Sequence, residues 1–213
     1  MDLQNTYEKV YEEIENRMSQ FEKTWENDLD IFLEMIFCLC TPQTKAQAGW
    51  KAACALRDSG VLFDGSEDQI AQILSDSGVR FKNKKARYII EARLRFMPRE
   101  GFSLKSFISS MLDKQGQIET RNWFASKVKG YGLKEASHFL RNIGQGDDLC
   151  ILDRHILREL DAYGVIPYPK KFDANDYNHI ESEMKKYAKE LNIPVFALDF
   201  VFWAETHNNE IFK

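Results

Sequence analysis

The sequence predicts an all-α protein. Apolar residues return at three- and four-residue intervals in segment after segment, residues that start and stop helices stand between those segments, and no alternating strand pattern of useful length is present. No internal repeat, low-complexity tract or long linker breaks the series.

The first helix is expected over residues 3–25, where Leu3, Val10, Ile14, Met18 and Phe21 mark one face among Glu and Lys. Asp28 or Asp30 is expected to cap the second, residues 29–40, which is apolar nearly all round and therefore central. Thr41-Pro42 redirects the chain, and a helix over 44–59 closes at Gly60. Ser66 opens a short helix that Gly78 ends. Lys82, Lys84, Lys85, Arg87, Arg93 and Arg95 then crowd a helix running to about Phe96, before Pro98, and form the one basic cluster in the chain. Residues 103–111 and 119–128 read as two separate helices, the second leading into a glycine turn. Beyond Asp153 come a helix to Tyr163, a proline-rich turn at 166–169, and helices over 175–191 and 194–207.

Composition narrows the class. The chain's 213 residues suffice for a sizeable core, in one large domain or two small lobes, and 44% apolar with 13% aromatic residues make it globular rather than disordered. A net charge of −4 excludes a protein that coats nucleic acid nonspecifically, since counterion release needs a broadly basic face. Any DNA contact must therefore be local. Cys38, Cys40, Cys54 and Cys150 form no CxxC and are expected as reduced thiols, while His138, His155, His179 and His207 lack ligand spacing, so no metal and no cofactor is expected. The N-terminus has no apolar signal core and no apolar run spans a bilayer, which predicts a soluble, cytoplasmic protein with no membrane association.

The most informative stretch is Val128-Lys129-Gly130-Tyr131-Gly132-Leu133-Lys134-Glu135-Ala136, followed by Asp153 at +19 from the lysine. Two glycines at i, i+2 permit a tight turn with positive φ and bring bare amides to a surface, and the helix starting at Leu133 adds its own unpaired amides. That combination is an anion site, most naturally for a phosphate. Lys134 falls in the helix's first turn, where the positive end of the macrodipole disfavours a cation and favours the nucleophilic amine. Asp153 is placed as an N-cap with its charge held in one orientation, able to stabilise developing positive charge. A phosphate cradle, an amine and a carboxylate point to chemistry on a nucleic-acid sugar.

These residues resemble the helix-hairpin-helix of the HhH-GPD base-excision DNA glycosylases, whose essential aspartate Asp153 matches, as does the Asp-x-His of Asp153 and His155. Lys129 departs from the pattern, in which a proline usually precedes the first glycine. Within that superfamily, residues 40–46 (Cys-Thr-Pro-Gln-Thr-Lys-Ala), residues 79–86, the run from Leu133 to Gly144 and a chain ending in Lys213 resemble the type-2 8-oxoguanine DNA glycosylases. The resemblance covers the chain from about residue 30 onward. It implies two helical lobes, one of residues 31–147 and one of 1–30 plus 148–213, with the hairpin at their junction. It further implies a monomer that acts on double-stranded DNA containing 8-oxoguanine, as both glycosylase and apurinic-site lyase.

By the same resemblance Lys134 is the nucleophile, Asp153 its partner, and Gly130, Gly132 and His155 hold phosphate. Trp203 would stack on the extruded base and Lys213 would reach it. From the residues alone, Phe81 and Trp203 are as well explained by core packing, His155 by a core position, and Lys84 and Lys85 by a solvated helix face. Pro42 and Gln43 interrupt an apolar helix, where the polar side chain needs a partner that a base edge or a backbone carbonyl supplies equally well. Two rival functions are an endonuclease III-like glycosylase for oxidised pyrimidines, disfavoured because no cysteine follows Cys150 to hold that branch's iron–sulfur cluster, and a helix-hairpin-helix module that binds DNA without catalysis. A binding module needs neither Lys134 nor Asp153.

Overall fold

The computed structural model describes residues 3–206, which form eleven helices. They are α1 (Leu3–Thr24), α2 (Asp28–Cys40), α3 (Ala46–Asp58), α4 (Val61–Asp64), α5 (Glu67–Asp76), α6 (Lys82–Phe96), α7 (Leu104–Lys127), α8 (Leu133–Asn142), α9 (Arg154–Ala162), α10 (Ala174–Glu190) and α11 (Val195–Thr206). Among the described residues, extended pairing is confined to an isolated bridge between Arg99 and Phe102. None of these helices is long and apolar enough to cross a membrane.

Helix boundaries follow their caps. Ser66 caps α5 in a reciprocal box with Gln69, and Gly60 and Gly78 take the left-handed conformation after α3 and α5. One boundary differs from expectation. Asn27 caps α2 by accepting from the Leu29 and Asp30 amides, which leaves Asp28 and Asp30 in the first turn, where their charge complements the macrodipole. Residues 103–111 and 119–128, expected as separate helices, lie in the two halves of α7, which non-helical backbone at Gly116, φ 76°, divides from each other.

Buried side chains gather in two clusters. The first runs from Ile31 to Leu149 and is centred on α2, in which every residue from Ile31 to Cys40 is buried. The second joins Leu3, Val10, Ile14 and Phe21 of α1 to residues between Cys150 and Ala204. Two buried ion pairs tie the clusters together: Arg121 of α7 with Glu181 of α10 at 2.6 Å, and Arg141 of α8 with Asp199 of α11. Burial pushes the Asp199 carboxyl up and Arg141 pulls it back. Arg141 also lies 4.3 Å from the Phe200 ring centroid, so its guanidinium is stacked as well as paired.

Candidate active site

The site is built from three chain segments, two of which meet at the C-terminal end of α2. The first is the turn 128–132. Gly130 has φ 91° and packs on α6 so closely that an added Cβ would stand 2.5 Å from Tyr88 Cδ2. Tyr131 is buried and donates its hydroxyl to the Met35 carbonyl at 2.9 Å, which fixes the turn against α2. The positive φ that the glycine pair permits falls at Gly130, and Gly132 has an extended backbone at φ −115°. Its amide is not bare: Glu135 Oε2 accepts from it at 3.0 Å.

That turn launches α8 with Lys134 in its first turn. Lys134 Nζ donates to Thr41 Oγ1 at 3.4 Å and lies 3.9 Å from Glu135 Oε1, with its side chain one-fifth exposed. Glu135 therefore meets both the Gly132 amide and the lysine.

The second segment is the loop 41–45 together with the loop before α6. Thr44 Oγ1 accepts from the Arg80 amide at 3.2 Å, joining the two loops. Each loop carries a non-glycine residue in the left-handed region, Gln43 at φ 55° and Phe81 at φ 60°. A bulky side chain held at positive φ is strained backbone, and such strain gathers at functional sites. Gln43 and Phe81 are exposed, and the Arg80 guanidinium lies 5.5 Å from the Phe81 ring centroid.

Lys85 corrects an expectation. Its position on the basic helix suggested a DNA-facing charge, but it is 4% exposed and donates to the Cys40 carbonyl at 2.7 Å, the Pro42 carbonyl at 2.9 Å and Thr44 Oγ1 at 3.1 Å. The ammonium spends its three donors on the end of α2 and the loop after it. Burial brings its pKa down to about 8, with Lys134 and Arg80 adding to the effect. Lys84, one residue earlier, is exposed, with its ammonium 5.7 Å from the Tyr88 ring centroid.

The third segment is 149–155. Asp153 caps α9: one carboxylate oxygen accepts from the His155 amide at 2.8 Å and from the Ile156 amide at 2.9 Å. His155 and Trp203 pack against each other, with ring centroids 4.3 Å apart and planes tilted by 43°, and His155 Nε2 meets the Phe202 carbonyl and the Thr206 hydroxyl.

A family model described as 8-oxoguanine DNA glycosylase matches residues 14–193. The chain belongs to that family. Among members of the 8-oxoguanine DNA glycosylase family, the 8-oxoguanine DNA glycosylase/AP lyase of Fusobacterium nucleatum is 37% identical over 206 residues, covering 93% of each chain. That of Korarchaeum cryptofilum is 37% identical over 196 residues, covering 92% of this chain and 88% of the other. The crystal structure of the Thermotoga maritima 8-oxoguanine DNA glycosylase superposes with a TM-score of 0.85 at 28% identity, covering 99% of this chain and 96% of that one. The Methanocaldococcus jannaschii enzyme, solved in complex with a 15mer DNA containing 8-oxoguanine, matches with the same score and identity over both whole chains.

Within this glycosylase fold the residues singled out from sequence fall into two groups. Pro42, Gln43, Phe81, Lys85 and Lys134 surround the end of α2, whereas Asp153, His155 and Trp203 lie between α9 and α11. Lys213 lies outside the described residues. Thr41, Thr44 and Glu135 escaped the sequence reading. The spacing of Gly132 and Glu135, that of a helix-capping pair, was a usable signal for the last; the two threonines act on residues far along the chain.

Proposed function

We propose that the chain is a bifunctional 8-oxoguanine DNA glycosylase and apurinic-site lyase. The observation that carries this is Lys134 in the first turn of α8, held against the end of α2, in a chain of this family whose Asp153 is fixed by two backbone amides. The damaged nucleotide is extruded from the duplex, at a cost of about a few kcal/mol in stacking and pairing that the pocket must recover.

Unprotonated Lys134 Nζ then forms a bond to C1′ as the glycosidic bond breaks, and the base leaves with that electron pair and takes up a proton. Asp153 stabilises the positive charge that builds on the sugar and assists removal of the amine proton. Opening of the sugar gives a Schiff base. Loss of a C2′ proton then expels the 3′ phosphate, which cuts the strand.

The two buried clusters support a division into lobes of residues 31–147 and 1–30 plus 148–213, with the glycine turn at their junction. We assign phosphate contact to Gly130, Gly132, His155 and Lys84. Gly132 would serve through the neighbouring backbone, because Glu135 already takes its amide. Pro42, Gln43, Phe81 and Trp203 are assigned to the base pocket, and Lys213 to reading the N7 hydrogen that distinguishes 8-oxoguanine from guanine. Both reactive groups come from one chain, which fits a soluble monomer acting inside the cell.

Borohydride trapping on a duplex containing 8-oxoguanine tests the central claim. A covalent adduct that forms on the lesion duplex and not on an undamaged one is expected; no adduct, with tight binding retained, would reduce the protein to a binding module. Deleting Lys213 is expected to lower the ratio of 8-oxoguanine to guanine excision.

A further inference from the structure

We propose that the buried Tyr177 hydroxyl is a positioning group that fixes the Asp153 segment against the Lys134 helix. The inference rests on the reading of Lys134 and Asp153 given above. Tyr177 is 3% exposed on α10, remote in sequence from both residues. Its hydroxyl lies 2.6 Å from the Cys150 carbonyl, 3.3 Å from the Leu152 amide and 3.3 Å from the Ser137 hydroxyl.

A phenol has one hydrogen and two acceptor positions. The carbonyl, as the nearest partner, takes the hydrogen, so the Leu152 amide and the Ser137 hydroxyl are the donors. All three valences are then used, and burial raises the pKa so that the hydrogen stays in place.

The partners matter for where they lie. Ser137 is on α8, one turn beyond Lys134 on the same face, while Cys150 and Leu152 stand three residues and one residue before Asp153. A single oxygen thus touches the helix that presents the amine and the strand-like segment that presents the carboxylate. Glu181, one turn further along α10, completes the anchor: one oxygen accepts from the Cys150 amide at 2.9 Å and the other from buried Arg121 at 2.6 Å. The Tyr177 ring lies 5.4 Å from the Arg121 guanidinium, so Tyr177→Phe removes the hydroxyl and leaves the ring's packing in place.

Reacting groups tolerate little displacement: a shift of about 1 Å from a distant change can cost about 10²-fold in rate. Tyr177→Phe is therefore expected to slow single-turnover excision of 8-oxoguanine by about 10-fold or more, with lesion-duplex affinity within about 2-fold of wild type.

A double-mutant cycle with Asp153→Asn separates positioning from general loosening of the fold. With the carboxylate charge removed, most of the loss caused by Tyr177→Phe should vanish. An equal fold-loss in both backgrounds, or a wild-type rate for Tyr177→Phe alone, overturns the proposal. Ser137→Ala, which cuts only the α8 arm, runs the same cycle with the same expected and overturning results should Tyr177→Phe fail to fold. A wild-type rate for Asp153→Asn by itself overturns the underlying assignment and the clamp with it, whereas a slowed Asp153→Asn with an additive cycle overturns the clamp alone.

Discussion

Lys134 Nζ donates to Thr41 Oγ1 at 3.4 Å, and the hydroxyl it meets is itself pinned by donating to the Cys38 carbonyl at 2.9 Å. The proposed nucleophile is thereby held by the last turn of the most deeply buried helix in the molecule. Removing the amine should leave that scaffold standing. Lys134→Gln is expected to abolish borohydride trapping and excision while lesion binding, measured by titration of labelled duplex, stays within a few-fold of wild type. Trapping that persists in Lys134→Gln would assign the nucleophile to another amine.

Asp153→Asn keeps an acceptor for the His155 and Ile156 amides and so should keep the α9 cap. Its cost should fall on chemistry: single-turnover excision reduced on the order of 10²-fold, as for loss of one preorganised electrostatic group, with the unfolding midpoint little changed.

Lys85 gives a prediction with a defined pH window. In the folded protein burial lets it release its proton near 8, whereas its ordinary value is 10.5. Between those values the unfolded chain binds the extra proton, so this residue's contribution to stability rises with pH across the window. Denaturant unfolding of wild type and of Lys85→Met, compared at several pH values, should show the difference moving in favour of wild type as pH rises. A difference that is flat, or that falls, would contradict a buried ammonium at the end of α2.

The two glycines of the turn should respond differently. Gly130→Ala forces a side chain to φ 91° and 2.5 Å from Tyr88, and is expected to cost about 1–3 kcal/mol or more from backbone strain alone. Gly132 has φ −115°, and its nearest obstruction is the movable tip of Glu135 at 3.3 Å. Gly132→Ala should stay within about 1 kcal/mol of wild type in the same unfolding measurement.

Salt dependence separates the adjacent lysines. Exposed Lys84 should contribute one phosphate contact, so Lys84→Ala is expected to reduce the slope of log K against log salt by about 1. Lys85→Ala should leave the slope unchanged and lower stability, because its ammonium faces carbonyls and not solvent.

What could be read from the chain was what acts locally. Helix periods, the caps at Ser66 and Asp153, and the turn at Gly130 involve neighbours within a few residues, so their signals lie side by side in the sequence. Lys85 was misplaced because its partners sit 45, 43 and 41 residues earlier, and a lysine-rich helix does not disclose which one of its charges turns inward. Gln43 and Phe81 carry no mark of positive φ, since neither is glycine or asparagine and the conformation is imposed by the loops that Thr44 joins. Nothing in the helix expected over 175–191 marks out Tyr177, because its role depends on three partners contributed by two other segments.

The second buried cluster has a consequence for how the chain comes into being. Leu3, Val10, Ile14 and Phe21 leave the ribosome well before most of the buried side chains they join, which lie from Cys150 onward. At about 5–20 residues per second, α1 waits on the order of ten seconds with most of its apolar face uncovered while the helices around α2 emerge and assemble. By the end of that interval the nascent protein holds a nearly complete first cluster and a largely exposed amphipathic α1, which is the form a chaperone would meet.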